Sequence, residues 1–256
     1  MNTFSSDSHL GAHAFLGGVA LSRLRVYEAC APDGMAGGSP HFHLACAEAY
    51  FVLAGAGAVE LVSLAHGYQR LQLKPGDAVQ FEPGIVHRLV NEGNLEILVL
   101  MQNAGLPENG DAVFTFLPEV LSDAEIYRQY ASIDSLEGAL TRRDHAVAGL
   151  SVLKDAFARS ADEGRGLLRD LHQSAAELVQ PSVKSWMDIV ERGPARAAAK
   201  TRSHLLELGT GRPGDLAGSQ ILRLLANEER LGMCGRLNPF AIEGTRPDSS
   251  SLIAAS

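Results

Sequence analysis

Short apolar runs, each closed by turn-forming residues, fill the chain from residue 15 to residue 101. Runs of this kind, bounded by Gly, Pro, Asn or Asp, are typical of β-strands. Seven runs are recognisable: ALSRLRVYEA, EAYFVLAG, GAVELVSL, QRLQL, DAVQFE, HRLVN and LEILVLM. Seven short strands at this spacing predict an antiparallel sandwich or barrel.

From about Ser122 onward the apolar positions recur with a helical period instead. Asp134 and Glu137 have the spacing of a capping box, which predicts the start of a long helix that runs to about residue 158. Further helices are predicted over residues 163–179, 181–191, 194–208 and 216–229, with Pro181 and Pro194 at helix starts. The fold class is therefore α+β, an N-terminal antiparallel β-barrel followed by an all-α C-terminal region.

The change of pattern divides the chain into four parts. We expect a leader over residues 1–14, a barrel domain over 15–121, a helical domain over 122–243 and a flexible tail over 244–256. The content of 46% hydrophobic and 20% charged residues indicates a folded globular protein rather than a disordered one.

Charge is distributed unevenly between the two main parts. The formal net charge is −8, of which −7 falls on residues 1–121 and −1 on the remainder. Neither part offers the basic surface that holds a protein on nucleic acid, so nucleic acid is not an expected partner.

The compartment follows from the cysteines and the N-terminus. Three cysteines are too few, and an odd number, for a disulfide framework, which indicates a reducing compartment. The first residues lack the charged and apolar regions of a signal peptide, and no apolar stretch is long enough to span a membrane. The sequence therefore predicts a cytoplasmic protein with no membrane partner.

Three histidines and one glutamate in the predicted barrel have the spacing of metal ligands. His41 and His43 are two residues apart, so on a strand both side chains project from one face, about 7 Å apart along it. Glu48 follows after a gap long enough for a turn, and His87 follows a Pro-Gly turn farther along the chain. Three imidazoles and one carboxylate can hold a divalent metal and leave positions open for water, substrate or dioxygen.

These residues resemble the motifs of the cupin superfamily. The first cupin motif is H-x-H, three or four residues, E, six residues and G, and His41, His43, Glu48 and Gly55 satisfy it. The second is G, five residues, P-x-G, two residues, H, three residues and N; its matching residues are Gly76, Gly84, His87 and Asn91. The resemblance covers residues 15–105 and implies a small jelly-roll, RmlC-like barrel in which His41, His43, Glu48 and His87 bind the metal.

Two positions depart from the motifs, and both lie in turns. Glu82 occupies the place of the expected proline, with Pro83 one residue late, and Met35 occupies the place of an expected glycine. The departures affect the shape of the loops more than the set of ligands.

Two residues near the motifs are candidate catalytic groups. Tyr50 shares the strand face of Glu48, so its phenol either lines the pocket or simply fills the barrel. Glu82 either approaches the site as an acid-base group or is a solvated turn residue. Cys46 is either close to the metal or a small buried residue.

Basic side chains elsewhere could meet an anionic substrate or the acidic barrel. Arg88 points away from His87 and is expected to face solvent or the helical region. Arg142 and Arg143 are expected on a solvated helix face or against the barrel. The same two alternatives hold for a further basic run: Arg192, Arg196, Lys200 and Arg202.

The expected function is that of a metal-dependent cupin enzyme acting on a small polar or anionic molecule. Fe²⁺ is the favoured metal and would support dioxygenase chemistry, whereas Mn²⁺, Zn²⁺, Ni²⁺ or Co²⁺ would support an isomerase or a lyase. A second alternative is a non-catalytic barrel that senses a small ligand and signals through its helices, as in AraC-like regulators. The helices are expected to cover the barrel mouth or to form the interface of a homo-oligomer, most simply a dimer.

Overall fold

The computed structural model describes residues 15–243, so the expected leader and tail lie outside the described residues. Seven strands of a ten-stranded antiparallel sheet come first and a helical region follows them, which confirms the predicted fold class. No helix among residues 15–243 combines the length and the apolar character needed to cross a membrane.

Seven strands precede the helices and three follow them. The first seven are β1 Ala20–Val26, β2 His41–His43, β3 Glu48–Ser63, β4 Gly67–Leu73, β5 Ala78–Phe81, β6 Val86–Met101 and β7 Ala112–Phe114. The last three are β8 Leu224–Ala226, β9 Arg230–Leu231 and β10 Gly235–Ile242. Along the sheet the order is β4-β3-β6-β1-β10-β8, with β5 on β3, β2 on β6, β7 on β2 and β9 on β10.

Two strands are longer than the sequence predicts, because each joins two apolar runs through a bulge. β3 and β6 pair along their whole length, and their register shifts three times between Val52 and Gly57. Gly55 lies in this bulge with a φ of +78°, and a Cβ atom there would approach the carbonyl oxygen of Asn94 to 2.1 Å. The motif glycine is therefore required by close backbone contact.

Alternation along β6 builds the barrel core. Leu95, Ile97, Val99 and Met101 are buried, whereas the residues between them are partly exposed. Asn91, the last residue of the second motif, is also buried. Its amide donates to the carbonyl of Val26 at 2.9 Å, and its oxygen accepts from two backbone amides of the following turn.

The helical region begins directly after the first seven strands. Its helices are α1 Pro118–Leu121, α2 Ala124–Ala131, α3 Leu136–Arg159, α4 Ala161–Val179, α5 Val183–Val190 and α6 Arg196–Leu208. Short 3-10 turns occur at Leu16–Gly18, Pro107–Asn109, Gln180–Ser182 and Gly214–Gly218, and a π turn over Glu191–Ala195 joins α5 to α6. The N-cap of α3 is Ser135, which accepts from the amide of Gly138, and not Asp134 of the predicted capping box.

The helix predicted over residues 216–229 is wrong. This segment contains a 3-10 turn and β8, and the chain then returns to the barrel as β9 and β10. β10 pairs with β1 from Ser22 to Val26, so it supplies hydrogen-bond partners that the outer side of β1 would otherwise lack. The predicted helical domain over residues 122–243 thus includes three strands of the sheet, β8, β9 and β10. The division of the chain into a barrel domain and a helical domain remains a prediction.

Helix α3 docks on the barrel through two buried arginines, which corrects the expectation of a solvated face. Arg143 donates to the carbonyl oxygens of Ala29 and Cys30 at 2.5 and 2.9 Å, just beyond β1. Arg142 donates to the carbonyl oxygens of Ala131 and Gly232 at 3.1 and 3.0 Å. Charge-assisted bonds to backbone carbonyls thus hold α3 against the barrel.

A buried ionic cluster makes a second link between barrel and helices. Arg88, predicted to face solvent or the helical region, is buried and pairs with Asp33 and with Glu60. Glu60 is also buried and accepts from Nζ of Lys154 on α3 at 2.7 Å and from the Tyr68 hydroxyl at 2.7 Å. Arg88 therefore contacts the helical region through the carboxylate that it shares with Lys154.

Candidate metal centre

Sheet pairing brings the three histidines together. His41 and His43 are the ends of β2, and both side chains point into the barrel. His41 is the direct cross-strand partner of His87 on β6. Glu48, the first residue of β3, pairs with Phe81 on one side and Met101 on the other.

The four side chains form one buried cluster in which a ligand atom from each lies within 4.8 Å of the others. Nε2 of His41 and Nε2 of His87 are 3.1 Å apart. Oε2 of Glu48 lies 3.0 Å from Nε2 of His87 and 3.3 Å from Nε2 of His43. The structure thus brings together all four residues that the motifs single out.

Each imidazole is oriented by an acceptor on its far side. Nδ1 of His41 lies 2.8 Å from the carbonyl oxygen of Ser39, and Nδ1 of His87 lies 3.0 Å from that of Ile85. Nδ1 of His43 lies 2.9 Å from Oδ2 of Asp111. An acceptor at Nδ1 requires the proton there, so Nε2 of each neutral ring presents its lone pair to the cluster.

Burial and neighbouring charges set the protonation of the cluster. Burial lowers the pKa of His41 well below its ordinary value, with the neighbouring imidazoles acting in the same direction. Burial also opposes the charged form of His43, but its hydrogen bond to Asp111 and its close contact with the Glu48 carboxylate outweigh burial and raise the pKa of His43 to about 9. For Glu48 the imidazoles of His87 and His43 outweigh burial and hold the pKa well below its ordinary range.

The arrangement fits a divalent metal ion. Nε2 of His43 and Oε2 of Glu48 are buried and make no hydrogen bond to a described residue. Nε2 of His41 and Nε2 of His87 also face each other at 3.1 Å while Nδ1 of each ring is directed to a carbonyl oxygen, so two lone pairs meet there, a contact that a cation between them would relieve. Three nitrogen ligands and one oxygen ligand suit several divalent transition metals, so the cluster itself leaves the metal open.

A tight turn and one helix residue position His87. Gly84 has a φ of +83°, and its amide donates to the carbonyl oxygen of His43 at 2.8 Å. Nε2 of His172 on α4 donates to the carbonyl oxygen of Gly84 at 2.8 Å. Glu82, at the start of this turn, is exposed and does not line the cavity described below, so it is not brought to the cluster.

A cavity of about 350 Å³ opens beside the cluster and includes three of its four residues, His41, His43 and Glu48. Tyr50 lines it as well. The hydroxyl of Tyr50 is buried and makes no hydrogen bond to a described residue. Burial and the charge of Glu48 raise the pKa of Tyr50 well above its ordinary value, so the phenol stays protonated.

Much of the cavity wall comes from the segment after the helices. β9, β10 and the turn between them contribute six lining residues: Arg230, Leu231, Gly232, Met233, Cys234 and Leu237. The loop between α2 and α3 adds Ile133 and Asp134, and the loop before β7 adds Pro107 and Glu108. The barrel therefore holds the cluster, and later parts of the chain close the space around it.

Three site residues are not predicted by the motifs. Asp111 is an isolated acid at the start of an apolar run, and this is the only sequence signal for its burial against His43. Arg230 and Cys234 carry no sequence signal, because both lie beyond the last predicted helix and outside the predicted strands. Cys46 is buried but lies outside the cavity lining, and Arg192, Arg196, Lys200 and Arg202 are exposed on the helical region.

Comparison with known families agrees with this geometry. Residues 27–101 match the family model described as "Cupin domain". Residues 27–101 form a cupin domain. The predicted resemblance is thus confirmed, and the cupin domain contains all four residues of the buried cluster. A cupin domain with three histidines and one glutamate in this arrangement supports a metal-dependent protein and a divalent ion.

Solved structures resemble the chain over about a third of its length. A cupin protein from Bacteroides fragilis is 21% identical over 34% of this chain and 65% of its own, with a TM-score of 0.25. A Thermotoga maritima protein described as a predicted oxalate decarboxylase is 24% identical over 33% and 64% of the two chains, with a TM-score of 0.25. The CENP-C cupin domain of Drosophila melanogaster is 14% identical over 40% and 63%, with a TM-score of 0.26.

The alignments span less than two thirds of each of these proteins. No curated protein matches the chain.

Proposed function

We propose that His41, His43, Glu48 and His87 bind one divalent metal and that the protein is an enzyme acting on a small molecule in the adjoining cavity. The observation that carries this proposal is the common orientation of the imidazoles. All three direct Nδ1 to an outer acceptor and Nε2 towards Glu48 and one another. Four ligand atoms leave positions on the metal for a substrate that enters from the cavity.

The favoured activity is oxygenation of a chelated substrate, with Fe²⁺ as the metal. A redox-active metal bound here would supply the one-electron chemistry that dioxygen requires. The chain's own contribution is to hold the ligands, to exclude bulk water with the apolar cavity wall and to present the Tyr50 phenol. Since that phenol is protonated and makes no hydrogen bond to a described residue, it can donate a hydrogen bond to a substrate oxygen.

Oxygen uptake tests this activity. The protein is loaded anaerobically with Fe²⁺ and screened with catechols, flavonols, keto acids and thiols. We expect stoichiometric oxygen consumption with at least one of these classes, and its loss in the His41→Ala/His87→Ala variant. A redox-inert native metal together with no oxygen consumption in any class would remove the oxygenase proposal.

An isomerase or a lyase is the second candidate, and Tyr50 supports it. With Mn²⁺, Zn²⁺, Ni²⁺ or Co²⁺ the metal would act as a Lewis acid on a substrate oxygen. A protonated phenol in the same cavity could then donate its proton or a hydrogen bond to the oxygen that gains charge. Product formation without oxygen consumption would distinguish this candidate.

A ligand sensor is the third candidate. Ile133 and Asp134, in the loop between α2 and α3, line the cavity, so a bound ligand would contact the helical region through this loop. This candidate predicts a ligand-dependent change in oligomerisation without turnover.

A further inference from the structure

The C-terminal part of the cavity wall is held firmly in place. The carbonyl oxygen of Gly232 accepts from Arg142 at 3.0 Å and from the Tyr27 hydroxyl at 2.9 Å. Backbone bonds join Ser39 to Met233 and Tyr27 to Cys234 at 3.0 and 3.2 Å. The segment from Arg230 to Cys234, which follows the helices in sequence, is thus held against the barrel by hydrogen bonds and forms a fixed wall of the site.

Arg230 is the only arginine or lysine among the described residues that line this cavity. It lies on β9 opposite Leu237 of β10, and its side chain is 30% exposed. Its guanidinium makes no hydrogen bond to a described residue and forms only a long ion pair, of 4.0 Å, with Oε1 of Glu108. A guanidinium with free donors that faces a cavity is suited to bidentate contact with a carboxylate.

Two acidic residues lie near the same end of the cavity, and one of them has another partner. Glu108 accepts from the backbone amide of Gly105 at 3.1 Å, so that carboxylate is anchored in its own turn. Asp134 is exposed, and the N-cap of α3 is Ser135 rather than Asp134. These acids offset the long-range attraction of Arg230 for an anion, and recognition would therefore depend on direct contact.

The sheet order separates Arg230 from the metal cluster. Glu48 is on β3 and Arg230 is on β9, and β6, β1 and β10 lie between these two strands in the sheet. Those strands and the β9–β10 hairpin line the cavity with apolar side chains: Leu24, Val99, Met101, Leu231, Met233 and Leu237. The cavity thus combines the metal cluster and the Tyr50 hydroxyl, which makes no hydrogen bond to a described residue, with an apolar wall and one guanidinium.

We infer that the ligand of this cavity is a small amphiphilic carboxylate, with chelating oxygens at the metal cluster, an apolar body between the walls and its carboxylate on Arg230. This inference rests on the proposed function, because it assigns the second end of the same substrate. Arg230 is accordingly a residue that determines specificity and does not take part in the chemical step.

Binding of synthetic probes to the Zn²⁺-loaded full chain tests the inference. The probes are catechol itself and catechols that carry a carboxylate on an arm of zero, one or two methylene groups. Each carboxylate is paired with its carboxamide, and the longest arm also with its primary amine. Affinities are measured by calorimetry for the wild type, for Arg230→Gln and for the control Arg236→Gln, whose arginine lies on the same hairpin outside the cavity.

We expect at least one carboxylate to bind roughly ten times more tightly than its carboxamide, the gain typical of one charge-assisted contact. This preference should disappear in Arg230→Gln and remain in Arg236→Gln. Equal affinities of every acid and its amide, including no binding by any of them, would overturn the inference. Tighter binding of the amine than of the acid would show that Glu108 and Asp134, rather than Arg230, select the charge of the ligand. That result would overturn the inference as well.

Catechol separates this result from the proposed function. If catechol binds the Zn²⁺-loaded chain and not the metal-free chain, chelation at the cluster is supported, whatever the affinities of the probes that carry a carboxylate, a carboxamide or an amine. If catechol does not bind, the proposed function loses its support, while the comparison of acid with amide still decides the role of Arg230.

Discussion

The carboxylate of Asp111 accepts a hydrogen bond from Nδ1 of His43 at 2.9 Å, although the two residues are far apart in the sequence. Asp111 is fully buried and also accepts from the backbone amides of Leu44 and Ala45, at 3.2 and 2.7 Å. It therefore fixes both the ring of His43 and the loop that leads from β2 to β3. A carboxylate on the far side of a ligand histidine also makes that ring a stronger metal ligand.

We expect Asp111→Asn to weaken metal binding by roughly 10- to 100-fold. Asparagine keeps an oxygen for the two backbone amides but loses the charge that supports His43. The measurement is a competition titration of Co²⁺ against a chelator, with exposed Glu82→Gln as the control. An affinity equal to that of the wild type would show that Asp111 serves only the loop.

Metal binding should release a proton at pH 7. The pKa of about 9 for His43 means that its ring is protonated at pH 7 before the metal binds, whereas Glu48 is already ionised and His41 neutral. A ligand imidazole must lose its Nε2 proton, so affinity should rise about tenfold per pH unit from pH 7 to pH 9 and then level off. Calorimetry in buffers of different ionisation enthalpy measures the proton count, and a count of zero at pH 7 contradicts the assignment.

Arg143 should contribute strongly to the stability of the folded chain. Replacing it with leucine removes the buried guanidinium that donates to the carbonyl oxygens of Ala29 and Cys30. The expected cost is about 2–3 kcal/mol, which corresponds to a fall in melting temperature of roughly 5–10 °C for a chain of this size. Arg159→Leu on the exposed end of the same helix is the control and should change the melting temperature by little. Equal shifts for the two variants would argue against docking through Arg143.

The predicted dimer remains to be tested by light scattering after gel filtration. Helix α6 has no buried residue, and its Leu205, Leu206 and Leu208 are exposed. Such apolar exposure on one helix favours contact with a second copy. We expect twice the chain mass for the wild type and a monomer for Leu205→Glu/Leu208→Glu. A monomeric wild type would contradict this prediction.

The cupin domain and its cluster were predictable because their determinants are local. The spacing of His41, His43 and Glu48 places them on two consecutive strands, β2 and β3, and Gly55 lies in a bulge where a side chain would clash with the backbone. The change from a strand period to a helical one likewise located α3 and α4. In each case, residues close in sequence determine the element.

The cavity wall was not predictable because its determinants are far apart. The return of β10 to β1 depends on the free edge of β1, some two hundred residues earlier, and apolar spacing alone does not distinguish β8 from a helix. Similarly, Arg142 and Arg143 look like surface residues until the barrel supplies carbonyl acceptors for them. Pairings over such distances are a property of the fold and leave no periodic signal.

Metal content is the most direct test of the central proposal. The chain is purified without added metal, and its metals are counted by elemental analysis beside the His41→Ala/His87→Ala variant. We predict close to one divalent transition metal ion per wild-type chain, or the same stoichiometry after loading and desalting, and none in the variant. Unchanged metal content in the variant, or a wild type that retains no metal after loading, would contradict the assignment of His41, His43, Glu48 and His87 as the metal site.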